Sequence, residues 1–244
     1  LTMNLINENE NFLEGKLTDV LRKLSLQEKN QKVFNALSPL IVGHRYLPFL
    51  HYAMDYHSIA TLINDIVINK RLSILEFGCG LSTIFMARLI KINELSDVKI
   101  VSVEHDDEWL NYIQENLSRE KLDSYVDLIH APLSKVDFVE GHTVPLYSYS
   151  ILDDKLSDKK FDMIVVDGPP AFNPEISLSR LPALYYVKLK RIATDDFSIF
   201  IHDIDRMGEQ QIFKAWEIEL KKRGLEYTPK LAGIILGKHF SVFI

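Results

Sequence analysis

The 244-residue chain predicts an α/β fold, a doubly wound, mostly parallel seven-stranded sheet behind an N-terminal helical extension. From Arg71 onward, short apolar runs alternate with amphipathic stretches. That is the grammar of βαβ units, whose crossover helices bury both faces of a parallel sheet. The first apolar run ends in a glycine pair followed by Ser and Thr, a strand–turn–helix junction that suits close approach of a ligand to the backbone. Hydrophobic residues at 47% and charged residues at 25% match ordinary globular domains and exclude a disordered chain.

Residues 1–70 read as a helical cover. Phe12, Leu17, Val20, Leu21, Leu24 and Leu26 approximate a 3.6-residue stripe, which Pro39 and the stretch Gly43 to Pro48 interrupt. A second helix is expected from Leu50 to Ile68. Strands are expected at Ser73–Phe77, Ile100–Glu104, Val126–His130, Met163–Asp167 and Ser198–Asp203. Helices are expected between them at Ser82–Ile92, Asp106–Arg119, Ile176–Lys190 and Glu209–Arg223, with Pro182 kinking the third or delaying its start. Trp109, Ile113 and Leu117 share one helix face, as do Ile212, Trp216 and Leu220. The segment Pro132 to Lys160 has little periodicity and reads as a long, partly helical excursion over one end of the sheet. Leu225 to Ile244 reads as a C-terminal hairpin on the sheet edge. The domains are accordingly 1–70, a helical extension or cover, and 71–244, the sheet domain.

A formal net charge of −6 argues against non-specific binding to nucleic acid, which needs a cationic field. The one cysteine, Cys79, cannot form an intramolecular disulfide or a multi-thiolate metal site. No apolar run reaches the roughly 18 residues that a membrane span requires. Leu1 to Lys16 lacks the basic start and apolar stretch of a secretory signal, so a cytoplasmic location is expected.

The sharpest chemical signal is Ile74-Leu75-Glu76-Phe77-Gly78-Cys79-Gly80-Leu81-Ser82-Thr83. Gly78 and Gly80 permit a tight turn, and Ser82 or Thr83 caps the following helix. Some 20 residues on, Glu104 ends the second strand, where an acid in nucleotide-binding sheets holds a ribose hydroxyl pair. No third glycine follows Gly80 at the dinucleotide spacing, and no basic residue interrupts the turn, which disfavours a pyrophosphate.

These motifs resemble the class I S-adenosylmethionine-dependent methyltransferases, with their Rossmann-like sheet. Glu76-Phe77-Gly78-Cys79-Gly80 is similar to the family's first motif, and Glu104 to its ribose-binding acid. His130-Ala131-Pro132 falls where the family contacts adenine. The run Phe161 to Pro170 resembles the fourth-strand motif, whose terminal acid, here Asp167, faces donor and acceptor. The resemblance implies cofactor contacts from Glu76, Gly78, Gly80, Ser82, Thr83, Glu104, His105, Ala131 and Asp167. A cationic cofactor without phosphate suits a crevice lined by carboxylates and free of Lys.

The motif Asp167-Gly168-Pro169-Pro170 departs from the Asn/Asp-Pro-Pro-aromatic of enzymes that methylate amino groups of nucleic acid or protein. The flavour is closer to small-molecule O-methyltransferases. In the metal-dependent members of catechol type, acids at the ends of strands four and five bind a divalent cation. Asp167 and Asp203 match two of those positions, but the family's next ligand is Ile204 here, so Mg²⁺ stays an open option. His202 is a candidate general base, although strand alternation predicts that His202 and Asp203 face opposite ways.

Asp167, Asp203 and His202 are thus the candidate catalytic residues. Arg180 and Arg206 are candidate anchors for an anionic acceptor. Tyr46, Tyr52 and His57, from the aromatic-rich cover, are candidate acceptor contacts. Cys79 has no partner placed by sequence to activate it and reads as a small filler.

The expected reaction is methyl transfer to a hydroxyl of a small polar metabolite or carbohydrate, in natural-product or surface-glycan synthesis. The alternatives are an N-methyltransferase acting on a small amine or protein side chain, and a non-catalytic cofactor-binding module. The expected partner is a small-molecule or sugar acceptor, not nucleic acid or a membrane, with a homodimer as the candidate assembly.

Overall fold

The computed structural model describes residues 16–17, 20–21, 24–25, 27–28, 31–48, 53–139, 142–190, 193–204, 206–222 and 234–237. The chain divides into two compact units, Leu1–Gly43 and His44–Ile244. In the first, the described residues up to Leu37 are helical, and a single 3₁₀ turn follows at Ser38–Leu40. The second unit begins at His44.

The second unit runs α1 (Tyr56–Ile68), β1 (Ser73–Phe77), α2 (Leu81–Ile92), β2 (Lys99–Glu104), α3 (Asp107–Glu120) and β3 (Val126–His130). It continues with β4 (Leu133–Val139), β5 (His142–Tyr147), α4 (Tyr149–Leu156), β6 (Phe161–Val166), α5 (Leu181–Lys190), β7 (Ala193–Ile201), α6 (Met207–Lys222) and β8 (Ile234–Gly237). The main sheet has the order β3-β2-β1-β6-β7-β8. Its first five strands are parallel and β8 is antiparallel to β7. The described residues therefore supply six strands of the expected seven. The remainder of the expected C-terminal hairpin lies outside them, in 223–233 and 238–244. Among the described residues, no helix is long and apolar enough to cross a membrane.

Several elements differ from the sequence expectation. The helix expected from Leu50 begins at Tyr56, behind its cap Asp55, and β7 runs from Ala193 to Ile201 rather than from Ser198 to Asp203. The excursion at 132–160 contains an antiparallel hairpin, β4–β5, ahead of the short helix α4. Pro145 reads as a strand breaker, yet it pairs with Lys135 in a two-stranded ladder, where one side of each strand needs no donor. The third helix begins at Leu181 rather than Ile176, after a 3₁₀ turn at Pro174–Ile176. Pro182 thereby falls in the first turn, where its missing N–H costs nothing.

Leu75, Phe77, Val101, Val103, Ile164, Val166, Ile199 and Ile201 present one sheet face to a core that includes Leu152, Tyr186, Ile212 and Trp216. On α1, Asp65 is fully buried and accepts from Arg71 Nε at 3.3 Å, Asn69 Nδ2 at 2.7 Å and the Ser198 hydroxyl of β7. A buried carboxylate needs such partners, and these tie α1 to the sheet. The N-terminus of α1 is thereby carried to the end of β7.

Candidate active site

Strand order reverses between β1 and β6, because the chain proceeds from β1 outward to β2 and β3 and then returns to β6. Ligands of open α/β sheets bind at the carboxyl ends of strands at such a point. The candidate residues gather there.

Glu76 is completely buried in β1 and accepts from the hydroxyls of Ser82, Thr83 and Ser102. Burial pushes its carboxyl up to about 7, against the pull of those three donors. Thr83 Oγ1 also takes the Gly80 N–H at 2.9 Å, closing the first turn of α2. Glu76, Ser82 and Thr83 thus point inward and build the turn. Gly78 has φ +93°, and a Cβ on it would lie 2.7 Å from the Gly168 nitrogen. Glycine is therefore required for β1 and β6 to end side by side. A Cβ on Gly80, by contrast, would meet no atom within 4 Å.

Glu104 ends β2, nearly buried, and its Oε1 accepts from the backbone N–H groups of His105 at 2.7 Å and Asp106 at 3.0 Å. The His105 Nδ1 lies 2.6 Å from the same oxygen. Ala131 is fully buried and gives its N–H to the Glu104 carbonyl. Trp109 Nε1 donates to the Cys79 carbonyl at 2.8 Å, bracing the glycine turn against α3. The Cys79 thiol is buried, and burial with the nearby Glu104 and Glu76 charges raises its pKa, so it stays a protonated filler. Tyr147, at the end of β5, was not anticipated from the sequence. It is buried, its hydroxyl has no hydrogen-bond partner among the described residues, and that oxygen would lie 2.7 Å from a Cβ on Gly168.

A charged cluster forms where β6 and β7 end. His202 Nδ1 lies 2.9 Å from Asp167 Oδ1 and 3.4 Å from Asp203 Oδ1, and its Nε2 lies 3.4 Å from Asp55 Oδ2. Asp55 caps α1, accepting from the His57 and Ser58 N–H groups. Sequence reasoning overlooked Asp55, because the helix expected from Leu50 enclosed a residue that in fact caps its start. Alternation fails here because β7 stops at Ile201 and Asp203 adopts φ 57°, turning His202 and Asp203 toward Asp167 together. Burial pulls the His202 imidazole down, but Asp167, Asp203 and Asp55 hold it up to about 11. The ring is then protonated at neutral pH and is not a free general base. Asp203 is held at about 2, since His202, Arg180 and Arg206 outweigh its burial.

Arg180 is buried rather than free to reach an acceptor. Its Nη2 donates to Asp167 Oδ1 at 3.3 Å and Asp203 Oδ2 at 3.0 Å. Glu209, fully buried, places Oε1 3.3 Å from Arg180 Nη1. Arg206 is half-buried and pairs with Asp203 Oδ2 at 2.9 Å. Tyr46 is exposed, His57 is partly buried in the first turn of α1, and Tyr52 lies outside the described residues.

Residues 75–204, more than half of the chain, match the family model for a methyltransferase domain. The chain belongs to the methyltransferase-domain family. Solved structures share its fold. A provisionally named caffeoyl-CoA O-methyltransferase from Staphylococcus aureus aligns with a TM-score of 0.55 at 14% identity, covering 89% of this chain and 98% of that one. A methyltransferase from Podospora anserina bound to S-adenosylhomocysteine gives 0.54 at 12% identity, over 87% and 88%. An O-methyltransferase from Bacillus cereus gives 0.51 at 16% identity, over 86% and 90%. No curated protein sequence matches the chain.

The methyltransferase's turn fits S-adenosylmethionine. The space beside Gly80 is open, the Glu104 carboxylate stands at the end of β2, and the orphan Tyr147 hydroxyl lies close by at Gly168. A divalent metal fits less well. Asp167, His202 and Asp203 do offer ligand atoms within 4.8 Å of one another. The Arg180 guanidinium, however, already bridges the two carboxylates.

Proposed function

We propose that this methyltransferase transfers a methyl group to a hydroxyl oxygen of a small polar metabolite or carbohydrate. The observation that carries the reading is the state of Asp167. Among the described residues its contacts from His202 and Arg180 both fall on Oδ1, and Oδ2 is the oxygen that would receive an acceptor's hydroxyl proton.

S-adenosylmethionine, when bound, supplies a methyl group on a sulfonium. Glu104 would hold its ribose hydroxyls, and the backbone of Gly78 to Gly80 would lie along its methionine portion. Asp167 would accept a hydrogen bond from the acceptor hydroxyl and aim its oxygen lone pair at the methyl carbon. The new C–O bond would replace the sulfonium's C–S bond, with S-adenosylhomocysteine as the leaving group and the hydroxyl proton passing to Asp167. His202 and Arg180 hold that carboxylate in place, so most of the acceleration comes from alignment. Glu104→Ala would remove the ribose contact.

The test uses S-adenosylmethionine with a labelled methyl and matched panels of hydroxylated and amine acceptors, with products identified by mass spectrometry. An O-methylated product is expected. Asp167→Asn should lower its formation by about a hundredfold or more, the range of a lost proton acceptor. Label found only in N-methylated products would overturn the reading.

A further inference from the structure

We propose that the Arg180 guanidinium is the resident cation of this site, standing where a divalent metal would stand between Asp167 and Asp203. The inference rests on the methyltransferase reading and deepens it. Six oxygens surround the guanidinium. Nη2 faces the Asp167 carbonyl at 2.9 Å, Asp167 Oδ1 at 3.3 Å and Asp203 Oδ2 at 3.0 Å. Nη1 faces the His202 carbonyl at 3.0 Å and Glu209 Oε1 at 3.3 Å, and Nε faces the Pro169 carbonyl at 3.4 Å. An all-oxygen shell of this kind is what a hard divalent cation takes. Here it closes around a delocalised cation whose side chain is only 4% exposed.

The surroundings agree. Arg206 Nη1 holds the same Asp203 oxygen as Arg180 does, Oδ2, and Asp167 and Asp55 flank the ring nitrogens of His202. A dication seated between the carboxylates would take both of them from Arg180, and a buried guanidinium that loses two charged partners is costly. Ile204, which follows Asp203, has no side-chain atom that could bind a metal. Arg180 is therefore a positioning residue: it holds two carboxylates together that would otherwise repel. The acceptor is then gripped through one hydroxyl, with no need for two adjacent oxygens to chelate a metal.

The experiment is an electron paramagnetic resonance titration of the full chain with Mn²⁺, alongside calorimetry with S-adenosylhomocysteine in EDTA and in Mg²⁺. The wild type should leave the free Mn²⁺ signal undiminished, and S-adenosylhomocysteine should bind equally in both buffers. Stoichiometric Mn²⁺ uptake by the wild type that Asp203→Asn abolishes would overturn the proposal without need of any Arg180 variant. Arg180→Met should gain Mn²⁺ uptake, and the double variant with Asp203→Asn should lose it again. A folded Arg180→Met that takes up no Mn²⁺ also counts against the proposal. Failure of S-adenosylhomocysteine to bind the wild type would instead remove the methyltransferase reading, while the Mn²⁺ result still judges Arg180.

Discussion

His202 Nδ1 lies 2.9 Å from Asp167 Oδ1 while its Nε2 faces Asp55 Oδ2 at 3.4 Å, so one imidazole ties the end of β6 to the cap of α1. Three carboxylates hold the ring's pKa, ordinarily near 6.5, at about 11 despite burial. A group whose folded pKa is raised contributes stability that is fully present below its unfolded pKa and lost as pH rises through the folded value. The melting temperature should therefore decline from near pH 6.5 toward about 11, and His202→Gln should remove that part of the slope. Imidazole ¹⁵N shifts measure the same thing directly. The ring should remain doubly protonated at pH 8, and a midpoint near the ordinary value would contradict the ion-pair account.

Gly78 and Gly80 should respond oppositely to alanine. At Gly78 the positive φ and the 2.7 Å approach to Gly168 make a Cβ intolerable. Backbone strain alone is worth about 1–3 kcal/mol, so Gly78→Ala should lower the melting temperature clearly. Gly80→Ala adds its methyl to open space and should melt as the wild type does, while S-adenosylhomocysteine affinity falls. Equal melting losses in both variants would mean that Gly80 serves the turn and not a ligand.

Glu104 commits Oε1 to two backbone donors of its own turn. If its remaining oxygen holds ribose, Glu104→Ala loses at least one hydrogen bond to a charged group, on the order of ten- to a hundredfold in affinity. Calorimetry showing unchanged S-adenosylhomocysteine affinity would remove Glu104 from that role.

Tyr147 carries a buried hydroxyl without a partner among the described residues. Deleting such a group removes an unmet desolvation cost. Tyr147→Phe should therefore be as stable as the wild type or more so when free of ligand. If the hydroxyl finds its partner in the bound cofactor, the same variant should lose affinity by a few-fold, the worth of about one neutral hydrogen bond. Loss of stability in the ligand-free variant would show instead that the hydroxyl is already satisfied.

The parallel sheet was legible because each buried strand is a short apolar run and each crossover helix has its own period, as at Trp109, Ile113 and Leu117. Glu104, Asp167 and Asp203 were legible because acids that end apolar strands have few other uses. Arg180 was read as an acceptor anchor because an arginine early in an expected helix, Ile176–Lys190, carries no sign of burial in its sequence. Its six oxygen partners include three main-chain carbonyls, which residue types do not reveal. His202 and Asp203 were set on opposite faces because the left-handed turn at Asp203 is invisible without a glycine. Tyr147 escaped notice because Gly141 and Pro145 disguised the β4–β5 hairpin that delivers it.

The central claim is that the crevice at the β1–β6 switch point binds the methyl donor. Calorimetric titration of the full chain with S-adenosylhomocysteine, with NAD⁺ as control, tests it most directly. The account predicts saturable one-to-one binding of S-adenosylhomocysteine and none of NAD⁺. A folded protein that binds neither, or NAD⁺ alone, would contradict it.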